Sequence, residues 1–590
     1  MTDCTVAAPN FHDGHEVRKA MAVLVALWAV MSTVFLIEYW PQLAEWQKAG
    51  NDDLLRLVEI RDWLGGQSWS DLTQYRIGPE DGLSMHWSRL GDLGPAAIIA
   101  VTEPHLGRDL AERLALALYP VMLMLGFALL AVDCARRLGG PAALLPGVFV
   151  TITALPLITH LLPGRIDHHG LQIVLMLVML RAVIGPPDRS SAVMAGMAMA
   201  LSFAVGIETV PYIFTICAVL YLLWVRHGDE LQPVLKMFGL ASCSTMAVLF
   251  VAFRPQDWSA AYCDAFSPAV VSAGMMIGGI GLCLALASSR LLTFQRRAAA
   301  LVTISGLCCA VLAFSYPDCL AGPFGAIDPF LKEIWLKNVN EARSLGSLLL
   351  AFPGGAVFTA GLPVVASAVG LWALYRADLE RPVWLPALAV LLMALLITIT
   401  QVRAGSFATA FAIPVIAAAI ACARRRADTA LAATVGLWVA GCGATYLLTA
   451  VALGQVTKTP DTDRACRVGS AYSGLAELPP GRVLGSMDVG PLVLAFTPHK
   501  VVGAPYHRNN AGNRDNFQFF LGTPEEGLAI ARQRTVDYVM ICPTSPESVT
   551  VADRARNGLL SQLLSGAVPS WLEPITSGPG AALRLYRVKR

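Results

Sequence analysis

Charge is what this chain has least of. Only 15% of its 590 residues are Asp, Glu, Lys or Arg, against about 25% in an average soluble domain. Hydrophobic residues make up 55%, and the mean hydropathy is +0.57. A formal net charge of +2 leaves no electrostatic footprint for nucleic acid. No GxxxxGK[ST] or GxGxxG stretch occurs, so neither glycine-rich phosphate cradle of nucleotide-using folds is written in. Thirteen cysteines are present, yet none forms a Cys-x-x-Cys pair or a zinc spacing. Six of them (Cys217, Cys243, Cys283, Cys308, Cys309, Cys442) sit in apolar runs as small hydrophobes. Internal repeats, coiled-coil heptads and low-complexity tracts are missing as well. So is a cleavable signal: the first nineteen residues are polar, and the apolar run after them reads as a retained anchor. What remains is a polytopic α-helical membrane protein.

Apolar runs able to cross about 30 Å of hydrocarbon fall at about 20–39, 109–132, 141–161, 170–184, 190–206, 209–225, 235–253, 268–288, 298–315, 345–375, 384–400, 406–422 and 428–452. That is about thirteen spans, with 345–375 read as one tilted helix or as a span plus a re-entrant piece. Alternate connections carry basic residues, among them Arg18/Lys19, Arg136/Arg137, Arg189, Arg226, Arg290/Arg296/Arg297 and Arg424/Arg425/Arg426. The positive-inside rule makes these cytoplasmic, with the amino terminus inside. The expected organisation is a transmembrane domain over 1–452 and a soluble extracytoplasmic α/β domain over 453–590, where short apolar runs alternate with Pro, Gly and charge. Cys466 and Cys542 both lie in that outer part and can bond if it faces an oxidising compartment; the sequence leaves this open.

The remaining outer loops, at about 40–108, 162–169, 316–344 and 401–405, hold polar residues that lipid does not explain. "GNDDLLRLVEIRD" places Asn51, Asp52 and Asp53 before an apolar-periodic helix, where a cap accounts for one of the three. "LSMHWSRL" supplies His86, Trp87 and Arg89, suited to a membrane interface or to a sugar platform. "GRIDHHG" packs Arg165, Asp167, His168 and His169 into one turn. Asp167 and His169 alternate and can point the same way. One carboxylate with one imidazole suits Mn²⁺ or Zn²⁺ better than Ca²⁺, while an ordinary capped turn is the plainer reading. The loop before 344 holds Asp328, Lys332, Glu333 and Glu341, most of them readable as solvated charge. Arg403 either snorkels at a span end or offers its fork of donors to a phosphate at headgroup level.

In this order the segments resemble the catalytic subunit of oligosaccharyltransferase, a GT-C glycosyltransferase of thirteen spans with a C-terminal domain outside the membrane. "NDDLLRLVEIRD" is similar to the family's first-loop pattern, which puts its catalytic Asp on Asp52. "GRIDHHGLQIVL" resembles the second-loop Asp-x-Asp/Glu motif, placing Asp167 on its first acid and His169 where the second acid stands. "NVNEARS" resembles the flexible-loop motif, its single Glu falling on Glu341. "RAGSFATAFAIP" resembles the turn whose Arg, here Arg403, holds the lipid diphosphate. "GSMDVG" sits where the family has Trp-Trp-Asp-Tyr-Gly: Asp488 and Gly490 match, and Ser486 and Met487 replace both sequon-reading tryptophans.

The resemblance implies inverting transfer from a polyprenyl-(di)phosphate-linked sugar to a protein, lipid or glycan acceptor, outside a bacterial inner membrane. It implies one divalent ion, Mn²⁺ or Mg²⁺, bound by Asp52, Asp167 and His169, with Glu341 as a further candidate. Arg403 and, as a second candidate, Arg165 would hold the donor phosphate. Asp488, His86 and the run "PYHRNNAGNRDNF", through His507 and Arg508, would face the acceptor. Two other readings stay open. One is a GT-C enzyme moving a single sugar onto lipid A, a glycan or a wall polymer. The other is a lipid-linked oligosaccharide flippase, for which intramembrane charge is expected; Glu208 is the nearest to one.

Overall fold

In lipid every backbone amide must be satisfied within its own segment, so apolar runs of this length become helices. A computed structural model describes residues 13–47, 49–78, 81–375, 381–426, 430–453, 464–575 and 582–589. Among the described residues nine helices are long and apolar enough to cross a membrane, or eleven if two sharply bent pairs each count as one span. The pairs are Pro141–Ile152 with Leu155–Leu161, bent by 56°, and Leu431–Gly441 with Gly443–Ala452, bent by 75°. The two bends dock on each other. The Gly443 amide donates to Thr153 Oγ1 at 3.2 Å, and a side chain at 443 would collide with the Thr153 carbonyl. The runs read at 170–184 and 190–206 form His169–Val183 and Arg189–Val205, too short to span alone. The run at 345–375 is split before a proline into Leu345–Ala351 and Pro353–Tyr375. Gly405–Arg425 forms the centre of the bundle, its residues 405–421 all buried; seven alanines among them let neighbouring backbones approach closely.

One face of the bundle, the outer one by the charge pattern of the loops, is built from the first loop and the C-terminal region. Helix α1 (Asp13–Ala44) leads to α2 (Asn51–Leu64), then to a hairpin of β1 (Thr73–Gln74) and β2 (Leu83–Ser84), then to α3 (Leu93–Leu106) and α4 (Arg108–Gly139). The C-terminal region carries a five-stranded sheet ordered β4-β3-β5-β7-β6, with β3 Arg482–Gly485, β4 Lys500–Val501, β5 Tyr538–Ile541, β6 Leu572–Ile575 and β7 Arg584–Val588. β3 is parallel to β4 and β5, and β7 is antiparallel to β5 and β6. Five helices between Gly490 and Ser565 flank it, so the expected α/β character is present. The boundary read after 452 abuts residues 454–463, which lie outside the described residues. The outer sheet and the first loop share one hydrophobic core, in which Trp46, Leu55, Trp87 and Ile99 pack with Tyr472, Val483, Leu492 and Tyr506. The loop is also stitched to the sheet edge. Val501 donates to the Arg76 carbonyl at 2.8 Å, and Gly78 donates to the Val501 carbonyl at 2.9 Å.

Cys466 and Cys542 are joined, with S–S at 2.03 Å. A second bond, Cys263–Cys319, had no signal in the sequence, where two loop cysteines 56 residues apart look unrelated. Closing a loop as long as that between Cys466 and Cys542 removes unfolded-state freedom worth about 2–5 kcal/mol. The Cys466→Ser/Cys542→Ser pair is therefore expected to destabilise the outer region by that amount in denaturant titration. An unchanged midpoint would show that the shared core alone holds it.

Candidate functional site

The site starts at the amino end of α2. Gly50 adopts an extended backbone (ψ 175°) and α2 begins at Asn51. Asp53, at the third helical position, reaches back so that Oδ2 accepts the Gly50 N–H at 2.7 Å. Its other oxygen accepts the Asp167 N–H, also at 2.7 Å, and Arg165 pairs with Oδ2 at 3.1 Å. Asp53, readable from sequence only as a cap, therefore clamps "GRIDHHG" onto α2. Arg165 is committed to this clamp.

Asp52, beside it, makes no hydrogen bond among the described residues. Burial first, then the nearby Asp167 and Glu341 carboxylates, pushes its carboxyl up to about 8. Asp167 is only 6% exposed. Its Oδ1 accepts the His168 N–H at 2.7 Å and lies 2.6 Å from His168 Nδ1, while Oδ2 is 3.4 Å from His169 Nε2. His168 turns inward and reaches Glu208 Oε1 at 3.4 Å through Nε2. Burial alone would discharge that ring, but Asp167 and Glu208 outweigh it and lift its pKa to about 10. His169 takes the other carboxylate oxygen of Asp167, its ring 4.4 Å from that of His168.

Behind them lies Arg56, fully buried. Nη1 donates to Asp92 at 2.6 Å, Nη2 lies 3.4 Å from His168 Nδ1 and 4.0 Å from Asp167 Oδ1, and the guanidinium rests 4.8 Å over the Trp87 ring. Sequence reading missed Arg56, Asp92 and Glu59. The signal was available in "LLRLVEI", where charges sit inside the apolar stripe of α2.

Glu341 is exposed, in the turn Asn340–Ala342. Its loop is held against the Arg403 turn by the Val402 N–H donating to the Arg343 carbonyl at 2.9 Å. Arg403 uses Nε on Gln401 at 3.2 Å; its two Nη groups have no partner among the described residues. Four loops far apart in sequence thus supply Asp52, Asp167 with His169, Glu341 and Arg403 at the outer face.

Asp488 joins them from the outer domain. It accepts from Asn51 Nδ2 at 3.0 Å, one residue from Asp52. The carbonyl of Asn51 accepts the Tyr506 hydroxyl at 3.2 Å. The Asp488 turn hangs on Glu547, which accepts the Met487 and Asp488 N–H groups at 2.9 and 3.3 Å. Burial, then Asp488, raises Glu547 to about 8. A raised carboxyl contributes stability below its unfolded pKa, and that contribution is lost as pH climbs through 8. Wild-type melting temperature is expected to fall more steeply between pH 5 and 8 than that of Glu547→Gln; parallel curves would refute this.

His86, His507 and Arg508 form a separate cluster. Asp264 takes His507 Nε2 at 2.6 Å and Arg508 Nη2 at 2.6 Å, and Arg508 lies 4.1 Å over the Tyr262 ring. His86 meets His507 edge-on, with ring centres 4.7 Å apart; burial, then His507 and Arg508, holds its pKa well below the usual value.

Among the described residues no three His, Cys, Asp or Glu side chains stand as a ready metal cage. The charge balance still fits a cation: Asp52 lacks a hydrogen-bonding partner and is raised partly by Asp167 and Glu341.

The whole chain, membrane bundle and outer region together, superposes on the archaeal oligosaccharyltransferase of Archaeoglobus fulgidus. Against the complex of that enzyme with an inhibitory peptide and a dolichol-phosphate, the TM-score is 0.65 at 14% identity, covering 96% of this chain and 74% of the other. The complex with Zn and sulfate gives 0.62 at 13%, covering 95% and 73%. The form tethered to an acceptor peptide with the NVT sequon gives 0.61 at 15%, covering 96% and 74%. No family model matches the sequence, and no curated protein matches it. The likeness is one of fold: the chain has the GT-C fold, which at these levels it shares with the archaeal oligosaccharyltransferase.

Proposed function

We propose that the protein is an inverting GT-C glycosyltransferase that moves a sugar or oligosaccharide from a polyprenyl-(di)phosphate carrier to an acceptor outside the membrane. The observation that carries this reading is the meeting of Asp52, Asp167 and Glu341 from three loops, with the Arg403 turn bonded to the Glu341 loop, under an outer domain that touches Asn51 through Asp488. Asp52, raised to about 8 and free of hydrogen bonds, is suited to orient the acceptor and take its proton. Asp167 is held in place by His168 and by the Asp53 clamp. The Nη groups of Arg403 face the departing phosphate as charge develops on it. A divalent cation, Mn²⁺ or Mg²⁺, held by Asp52, Asp167 and His169, would neutralise that leaving group; the Zn complex of the archaeal enzyme supports such a site.

Outer-loop disulfides suit an oxidising compartment, which supports placement in a bacterial inner membrane with the C-terminal domain periplasmic. Ser486 and Met487, standing where the family has tryptophans, are buried and offer no aromatic surface to a sequon. That favours the second reading, transfer of one sugar to lipid A, a glycan or a wall polymer, over protein glycosylation. For a flippase the observations are less apt, because Glu208 is engaged with His168 and Gln172.

The test is transfer from a labelled polyprenyl-phosphate or -diphosphate sugar to membrane-derived acceptors in detergent. Asp52→Asn is expected to lower the rate by about 10²–10⁴-fold. The same change should abolish an Mn²⁺-induced rise in melting temperature and leave the metal-free melting temperature unchanged. Absence of transfer by the wild-type protein from either donor would end the transferase reading. Full transfer by Asp52→Asn would instead remove Asp52 from the chemistry, and with Mn²⁺ stabilisation lost as well it would remove the metal too.

A further inference from the structure

Away from the four-loop site, a crevice of about 270 Å³ opens where the ends of α1 and α4 meet the outer domain. Its polar lining comes from Glu45, Asp109, Arg113 and Ser470, and Trp46 and Phe496 form its apolar wall. The crevice lies at headgroup depth. The apolar run of α1 ends at Tyr39 and Trp40, aromatic residues typical of the membrane interface, and the lining residues Glu45 and Trp46 follow within two turns. On α4, Asp109 and Arg113 precede or open the apolar run that enters the bilayer.

The wall is firmly built. Trp46 holds a left-handed backbone, φ 58°, an uncommon conformation for a bulky side chain. Its ring meets Phe496 edge-on at 6.0 Å and carries Arg61 at 5.3 Å on its face. Glu45 is fixed to the outer domain: its Oε2 accepts the Ser470 N–H at 3.2 Å, and its carbonyl accepts the Gly469 N–H at 3.2 Å. Against this frame the two charges of α4 stand idle. Asp109 and Arg113, one turn apart on one helix face, make no hydrogen bond or ion pair with each other or with any described residue. A guanidinium without a protein partner at headgroup level is matched to a phosphate. Two carboxylates in the same crevice are matched to an ammonium. A wholly anionic headgroup would leave Glu45 and Asp109 opposed by like charge.

We propose that this crevice binds the zwitterionic headgroup of an aminophospholipid, with the phosphodiester on Arg113 and the primary ammonium between Asp109 and Glu45. The space equals about nine water volumes, room for a phosphoethanolamine of about eight non-hydrogen atoms. A primary ammonium donates three hydrogen bonds, whereas a trimethylated one donates none, so the site should tell the two apart. The inference concerns lipid binding and holds or fails independently of the transferase reading.

The experiment is native mass spectrometry of the full-length protein in detergent, with equimolar phosphatidylethanolamine, phosphatidylglycerol and phosphatidylcholine of the same acyl chains. Phosphatidylethanolamine adducts are expected to exceed each of the others by about five- to tenfold. Arg113→Gln should reduce both phosphatidylethanolamine and phosphatidylglycerol adducts, and Asp109→Asn should erase the preference between those two. Neither side chain holds any part of the fold, so melting temperatures should match the wild type. Equal adducts of the three lipids, a preference for phosphatidylglycerol or phosphatidylcholine, or phosphatidylethanolamine binding untouched by Arg113→Gln would each overturn the proposal.

Discussion

Asp167→Asn is expected to lower glycosyl transfer by about 10³-fold or more while the protein stays folded. The size follows from two roles lost together. The carboxylate is the buried charge beside Asp52, raising it along with burial, and it holds the His168 ring at 2.6 Å. Removing one preorganised charge at a reacting centre costs about 10²–10³-fold by itself. The loop should survive, because the Asp53 clamp grips the backbone N–H of residue 167, not its side chain. An amide at 167 still accepts the His168 N–H, so stability should fall by only about 1–2 kcal/mol. Rates are read with the assay described for Asp52→Asn, and stability by thermal melting. A variant at 167 that is active and stable would detach "GRIDHHG" from the chemistry altogether.

The second large effect is structural. Arg56→Met is expected to destabilise the outer region by about 3–5 kcal/mol, the cost of breaking a buried ion pair by removing one partner. Arg56 faces Asp92 at 2.6 Å and Asp167 at 4.0 Å, both nearly inaccessible. Burial, then Asp92, already raises the neighbouring Glu59 to about 8, so the pocket holds more acid than it can ionise. Arg89, 3.6 Å from Asp92, recovers part of the loss. The Arg56→Met/Asp92→Asn double variant should therefore lose less than the sum of the two single changes, and a double-mutant cycle in denaturant measures the difference. Strict additivity would mean that the pair contributes no coupling.

The helices were the most legible part of the chain, since an unbroken apolar run in lipid has no other way to satisfy its backbone. The described parts of the thirteen runs are helical apart from short breaks, yet among the described residues only nine to eleven segments pass as spans. The discrepancy lies in His169–Val183 and Arg189–Val205, because hydropathy marks a segment as apolar without saying whether lipid or protein surrounds it. The bond between Cys466 and Cys542 could be suspected, because both lie in one polar region. Cys263–Cys319 could not, because its partners meet only once two loops fold over each other. At the site, residues with unusual local density (Asp52, Asp167, His169) announced themselves. Arg56, Asp53, Glu208 and Glu547 did not. Asp53 reads as a cap and Glu208 as a span-end charge, Arg56 is marked only by being a charge within an apolar stripe, and the partners of all four lie 36 to 114 residues away.

The strand at Lys500–Val501 would be the open rim of the sheet, were it not for residues 76–78 lying along it. An uncovered rim of unpaired amides invites pairing with a second chain. Here the segment that closes it comes from the far end of the polypeptide, next to the first membrane crossing. The C-terminal sheet is thus completed by a loop from the amino-terminal half, and neither presents a finished surface until both are in place.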